Sequence, residues 1–284
     1  MILSVSRRTG ASKRRVCHVL GVPRSSFYTA ATESPRQAAD RELGSRVEGV
    51  FNDHFGRYGY RRISAELGDQ GVACPPGRTR NLMAQRGLRA LQPKRHRPQT
   101  SDGKAAAPAR NLLADRPLPN RTNAVWSGDI TYIRTAAGWV YLAVVIDLCS
   151  RRVVGWSLAP HMRSALVCEA MENALKARKV GPGLIFHSDR GSQYGSARFR
   201  GLLMRAGASQ SMSAKANPYD NAWTESFIGT LKLEHVDRGE YQGEPGARAG
   251  LFEYIDGYYN TRRKHSAIDY RTPSEHEQYL LTQN

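Results

Sequence analysis

Apolar positions along this chain change period twice. Over the first ninety or so residues they recur at helical spacing. Val16, Val19 and Leu20 follow a candidate cap, Ser12; Gly21-Val22-Pro23 interrupts them, and Arg24-Ser25-Ser26-Phe27-Tyr28 opens another helix. Helix, glycine turn, helix is a helix-turn-helix pattern, although any helical hairpin shares it. Leu43, Val47, Val50 and Phe51 predict the next amphipathic helix, and Tyr58–Leu67 and Thr79–Gln85 two more, punctuated by Gly71 and Pro75-Pro76. Between Gln92 and Asn123 no period survives. From Val125 it becomes strand-like: Val125–Thr135 is β-branched and alternating, Trp139–Ile146 is almost continuously apolar, and Arg152–Leu158 is a third strand. The connections Thr135–Gly138 and Leu148–Arg151 are short enough for hairpins, so these three predict an antiparallel meander. Arg163–Arg178 then reads as a helix, Leu184–Phe186 as a buried strand, Ala197–Arg205 as a helix, Ser209–Ser213 as a strand and Asn221–Leu233 as a helix.

Three antiparallel strands followed by helix, strand, helix, strand, helix is the element order of a ribonuclease-H-like α/β domain. The predicted fold class is therefore an α/β ribonuclease-H-like catalytic core preceded by all-α helix-turn-helix-type modules. The predicted division is a helix-turn-helix-like segment (1–32), a second helical DNA-binding module (33–91), a basic extended linker (92–123), the core (124–236) and a C-terminal helical extension (237–284).

Composition narrows the partners. The 42 Lys+Arg and 25 Asp+Glu among 284 residues leave a net charge of +17, which asks for a polyanion. The excess is uneven: residues 1–110 hold 21 Lys+Arg against 8 Asp+Glu, and the remainder 21 against 17. A basic N-terminal third on a nearly balanced remainder suits a DNA-gripping arm attached to something with carboxylate chemistry, although a solubilising basic surface would look the same. Trp139–Ile146, the longest apolar stretch, is too short to cross a bilayer, which argues against a membrane partner. The N-terminus lacks a secretory pattern, so the expected location is the cytoplasm. Cys17, Cys74, Cys149 and Cys168 lie far apart, which argues against a disulfide scaffold and against a structural zinc site.

Three carboxylates occupy informative places. Asp129 is central in a strand, where an ionised side chain is costly unless it binds something. Asp189 follows a buried strand and so points toward the crevice where open α/β sheets bind ligands. Glu225 lies inside the last core helix, separated from Asp189 by 35 residues. Phosphoryl transfer on DNA needs two divalent cations about 4 Å apart, one activating the attacking oxygen and one stabilising the leaving oxygen. Mg²⁺ or Mn²⁺ takes oxygen ligands and keeps some waters, so these three side chains suffice for two ions per site, with Asp129 as the bridge. Any one of them alone would be read as an ordinary surface carboxylate.

The chain resembles the integrase-like transposases of bacterial insertion sequences, of the type encoded by the second of two overlapping frames. The resemblance rests on Trp126-Ser-Gly-Asp-Ile-Thr-Tyr132, Tyr141-Leu-Ala-Val-Val-Ile-Asp147, Ser150-Arg-Arg-Val-Val-Gly-Trp156, His187-Ser-Asp-Arg-Gly-Ser-Gln-Tyr194 and Asn217-Pro-Tyr-Asp-Asn-Ala-Trp-Thr-Glu225. Tyr58-Gly-Tyr-Arg-Arg-Ile63 upstream, and Tyr258-Tyr-Asn-Thr-Arg-Arg-Lys-His265 and Thr272-Pro-Ser274 downstream, extend it from about Tyr58 to Glu275. It implies a catalytic and metal-binding set of Asp129, Asp189 and Glu225, with Lys232 filling the family's basic place seven residues after the glutamate. It also implies cleavage at element ends, strand transfer by the freed 3′-hydroxyl, terminal repeats and target duplex as DNA partners, and a dimer or larger synaptic complex. The upstream-frame product is a further possible partner. Unlike retroviral integrases, the chain has no His-His-Cys-Cys zinc module before Asp129.

Other candidates carry weaker signals. Seven residues are about two helical turns, so Lys232 shares a face with Glu225 roughly 10 Å away and suits a phosphate. His187, Gln193, Tyr194, Asn217 and Asn221 are candidate DNA contacts near the carboxylates. Arg57, Arg61, Arg62, Arg78, Arg80 and Arg86 are candidate phosphate contacts in the helical module, and Arg262, Arg263, Lys264 and His265 form a basic run. Each basic set could equally be a solvated face. Asp147 is expected to be structural, and Asp220 and Asn221 to cap the glutamate helix. Two rival functions remain at this point: a DNA-binding regulator with an inactive core, and a ribonuclease-H-like nuclease.

Overall fold

The computed structural model describes residues 2–25, 27, 34–92, 109–114, 116–117, 119–214 and 221–283. The chain forms two compact units, Met1–Ala90 and Leu91–Asn284.

The first unit is helical. Helix α1 (Ile2–Thr9) and helix α2 (Lys13–Val19) come first, and Ser12 caps α2 by accepting from the Arg15 amide at 3.3 Å. Arg24, Ser25 and Phe27 are helical after the Gly21–Pro23 break; Ser26 and Tyr28 lie outside the described residues. Helix α3 (Pro35–Asp53) opens with a capping box between Ser34 and Gln37, and α4 (Tyr60–Asp69) and α5 (Pro76–Gln85) follow. Val47, Tyr58, Ile63 and Leu67, all fully buried, are the centre of their shared core.

The second unit is built on a five-stranded sheet: β1 (Val125–Thr135), β2 (Gly138–Asp147), β3 (Val153–Ala159), β4 (Ile185–Ser188) and β5 (Ser209–Met212), in the order β3-β2-β1-β4-β5. Strands β1 to β3 are antiparallel, while β4 and β5 run parallel to β1. Alternation along β2 explains its long apolar run, because both faces are covered. Ala143 and Val145 face one core, completed by α6 (Ser164–Ala177) and α7 (Ala197–Arg205). Val140, Leu142, Val144 and Ile146 face the other. That second layer consists of α8 (Ala222–Glu234), α9 (Glu244–Phe252) and a π-helical segment, Glu253–Tyr259, whose Tyr254, Ile255, Tyr258 and Tyr259 are buried. The C-terminal residues are thus half of the core's packing, and α10 (Pro273–Thr282) closes the chain.

The expected extended linker is only partly described. Residues 93–108 lie outside the described residues, but Ala109 and Leu112 donate backbone bonds to Met212 Sδ (3.4 Å) and Ser211 Oγ (2.8 Å). For those residues the segment is tied to the core: side chains of β5 offer partners that an unpatterned sequence does not reveal.

Gly155 shows how closely α6 lies on β3. A Cβ there would meet the Ala170 carbonyl oxygen and would stand 2.6 Å from the Ala174 amide nitrogen, both backbone atoms that cannot step aside. Gly155→Ala is expected to cost about 1–3 kcal/mol or more through forced separation of helix and strand. Chemical denaturation checks it; an unchanged midpoint would mean that α6 is free to shift.

Candidate active site

Strand register brings the two aspartates together. Gly128 pairs with Ser188 at the end of the parallel β1–β4 ladder, so Asp129 and Asp189 are the next residues on neighbouring strands, where chains lie about 4.8 Å apart. Gly128 has no room for a side chain: a Cβ would sit 2.5 Å from Phe186 Cζ and 3.3 Å from the Tyr194 hydroxyl. Asp189 is steadied by the Gly191 amide, which donates to its Oδ1 at 2.9 Å.

Helix α8 delivers the third carboxylate. The Thr224 hydroxyl donates to Ser127 Oγ (2.7 Å), and Ser127 donates to Asn221 Oδ1 (2.8 Å). All three residues are buried, and they pin the start of α8 to β1 two residues before Asp129. Glu225, in the first turn of α8, is exposed.

Electrostatics show that the group is shared. Burial, then the charge of Asp189, then that of Glu225, push the half-buried Asp129 carboxyl up from its ordinary 3.8 to about 7, against the Ile130 amide and Lys232, which lower it. Lys232 is itself pulled below the usual lysine value by burial, with the charges of Asp237 and Asp129 opposing. The hydroxyl of Tyr194 is buried and has no hydrogen-bond partner among the described residues; burial and the charges of Asp129 and Asp189 raise its pKa well above normal.

Asp129 holds its proton near neutrality first because it is desolvated and second because two other carboxylates act on it, so a cation there would meet uncompensated negative charge. The donor set, all carboxylate oxygen, suits hard divalent cations. Among the described residues no three acidic, histidine or cysteine side chains converge as a finished ion cage.

Several expected DNA contacts turn out to be buried or engaged within the protein, and Arg78, although ion-paired, stays exposed. His187 is fully buried, with Nδ1 and Nε2 at 2.9 and 3.2 Å from Ser211 and Ser213 Oγ, so it ties β4 to β5 and does not reach a phosphate. Tyr194 is buried against Phe186 and Phe199. Arg263 is buried and grips Glu234 with both Nε and Nη2 at 2.7–3.0 Å, and Lys264 is buried beside it in the chain. Arg86 ties α5 to α3 through Glu48 (2.6 Å), the Arg41 carbonyl and Ser45. Arg78 pairs with Asp40 at 2.5 Å. A basic run reads alike in sequence whether its charges meet solvent or a partner far along the chain. Asn221 is buried on Ser127, with no side-chain cap bond, while Asn217 and Asp220 lie outside the described residues.

Others remain accessible. Arg61, Arg80 and Arg262 are exposed and Arg57 and Arg62 half-buried, while Gln193 donates to the Met162 carbonyl at 3.1 Å. Asp147 is structural as expected, accepting from the amides of Asn123, Cys149 and Ser150. The pin of Ser127, Asn221 and Thr224 escaped the sequence reading; its only signal was small polar residues next to two of the carboxylates.

Known proteins share much of this chain. An integrase core domain family matches residues 119–218, a second integrase core domain family residues 206–273, and an HTH-like domain family residues 38–96. The HTH-like match falls on α3 to α5, downstream of the Ser12–Tyr28 pattern. The transposase for insertion sequence element IS904 of Lactococcus lactis is 41% identical over 246 residues, covering 86% of this chain and 97% of that protein. Transposase InsF for insertion sequence IS3A of Escherichia coli is 38% identical over 270 residues, covering 94% of each.

Proposed function

Because the chain belongs to the insertion-sequence transposases that carry an integrase core domain, we propose that its three carboxylates cut element ends and join them to target DNA. The observation that carries this reading is the register that sets Asp129 beside Asp189, with Glu225 in the first turn of a helix pinned at Ser127 and its charge acting on Asp129.

Asp129, Asp189 and Glu225 would together hold the divalent cations, two Mg²⁺ or Mn²⁺ ions per site. Bound there, such ions supply activation of the attacking oxygen and charge neutralisation at the leaving oxygen. The protein's part is positioning. Lys232 holds a phosphate near the carboxylates as a point charge. In the first step a water oxygen attacks the phosphorus at the element end, and the P–O3′ bond on the element side breaks, leaving a 3′-hydroxyl on the element and a 5′-phosphate on the flanking DNA. In the second, that hydroxyl attacks a target phosphodiester in line and the target's 3′-oxygen leaves, with no protein–nucleotide bond at either stage. The Met1–Ala90 unit grips duplex DNA through accessible arginines such as Arg61 and Arg80, a role the HTH-like match supports. The transposase works as a dimer or larger assembly on paired ends, alone or with the upstream-frame product, in the bacterial cytoplasm at the nucleoid. Among the described residues no helix is long and apolar enough to cross a membrane.

The test combines the full chain, with and without the upstream-frame product, a labelled pre-cleaved element end, supercoiled target and Mg²⁺. Joined end–target molecules are expected. Nicking without joining would favour a nuclease, and binding without chemistry a regulator; either result overturns the proposal.

A further inference from the structure

Two large aromatic side chains stand exposed on the hairpin that carries Asp129. Tyr132 on β1 is 38% exposed and Trp139 on β2 is 51% exposed, and their rings meet edge to face at 5.2 Å. In register Tyr132 opposes Tyr141 and Trp139 opposes Arg134, so the aromatics are diagonal neighbours on one face of the sheet. Arg134 is exposed on that face and has no ion-pair partner among the described residues.

The pair is linked to the carboxylates. Strand β4 pairs with β1 only over Val125–Gly128, so from Asp129 onward that edge of β1 has no strand partner among the described residues. Lys232 lies at this open edge: its Nζ is 4.4 Å from the Tyr132 ring centroid, and its charge acts on Asp129. The hairpin is also held still, because the amides of Ala136 and Ala137 donate to the carbonyls of Tyr241 (2.8 Å) and Gln242 (3.2 Å).

We propose that Tyr132 and Trp139, flanked by Lys232 and Arg134, form a stacking ledge for unpaired DNA bases next to the phosphate under attack. The inference rests on the reading of Asp129, Asp189 and Glu225 as a DNA-joining site. Fixed aromatic faces bordered by cations suit single-stranded nucleic acid, since every base offers a π-face and every nucleotide a phosphate. Tyr132 is three residues from Asp129, roughly 10 Å along the strand, and alternation sends the two side chains to opposite faces, so DNA reaching both passes around the open edge of β1, where Lys232 meets the Tyr132 ring. A strand whose phosphate Lys232 holds therefore passes from the carboxylates to the rings. It also explains two neighbouring large aromatics left in solvent beside a cationic group.

The test measures binding of the full chain in EDTA, so it does not depend on joining. Three labelled DNAs share one element-end duplex: blunt, with a three-nucleotide single-stranded overhang, and with that overhang made abasic. The wild type is expected to bind the overhang DNA roughly 5- to 150-fold more tightly than the abasic one, the range of stacking one base on an aromatic. Tyr132→Ala and Trp139→Ala should lose that preference while binding the blunt and abasic DNAs as the wild type does, and Trp139→Phe should keep most of it. Equal wild-type affinity for the overhang and abasic DNAs would overturn the proposal without any variant. So would an undiminished preference in both alanine variants, or a Trp139→Ala protein whose sedimentation shows a lost oligomer with its DNA preference intact, which would mark the pair as a protein interface. Loss of joining in Mg²⁺ with the overhang preference present would sink the catalytic reading and leave the ledge standing.

Discussion

Asp129→Asn, Asp189→Asn and Glu225→Gln are each expected to lower the rate of end joining in Mg²⁺ by about 1,000-fold or more, the loss of several kcal/mol of charge stabilisation at the reacting phosphate. Each change keeps the side chain's shape and removes its negative charge. Binding of the same DNA in EDTA is expected to hold or tighten, because each substitution also removes repulsion of phosphate. The measurement pairs a joining assay on pre-cleaved ends with a binding curve. A variant that joins ends at a rate near wild type would remove its residue from the site.

Arg263→Ala is the second large effect, and it acts on the fold. Arg263 and Glu234 are each 4% exposed, and Tyr254 donates its hydroxyl to the same carboxylate at 2.9 Å. Removing the guanidinium strands a buried carboxylate, at a cost of about 3–5 kcal/mol. Because Glu234 ends the helix that begins with the Glu225 turn, the loss is also expected to loosen the helix that carries Glu225. Replacing the pair together, Arg263→Met with Glu234→Leu, should recover most of that stability, since the desolvated charge disappears with its partner. Denaturant midpoints separate the two cases. A change below about 0.5 kcal/mol in Arg263→Ala would identify Arg263 as a solvated group, free for DNA as the sequence suggested.

The core's elements were legible in the sequence because their burial is two-sided and strongly patterned. β1 spans Val125–Thr135, as its alternation predicted, and β2 and β3 differ from expectation by a residue at their ends. The carboxylates were legible for a related reason: an aspartate in mid-strand and another just after a buried strand are costly places for charge. What escaped was whatever depends on distant partners. Arg263 pairs with a residue 29 positions upstream, and His187 bonds serines on a neighbouring strand. Nothing local distinguishes these from solvent-facing residues in a basic run or a polar turn. The packing of Ala109 and Leu112 on β5 escaped for the same reason, since it uses backbone donors that any sequence carries.

The account stands on three carboxylates acting as one divalent-cation site, and thermal unfolding across pH tests that directly. Asp129 titrates at about 7 in the fold against 3.8 ordinarily, so the folded state keeps a proton that the unfolded chain releases. Without divalent ions its contribution to stability is therefore lost as pH rises from about 4 to about 7, and Asp129→Asn lacks that loss. At about pH 8, Mg²⁺ or Mn²⁺ at about a hundred times its dissociation constant should raise the wild-type midpoint by roughly 5–10 °C. Near pH 5, where Asp129 holds its proton, the rise should shrink, and in Asp129→Asn it should be small at both pH values. An equal rise in wild type and Asp129→Asn, or none in the wild type at about pH 8, would contradict the account.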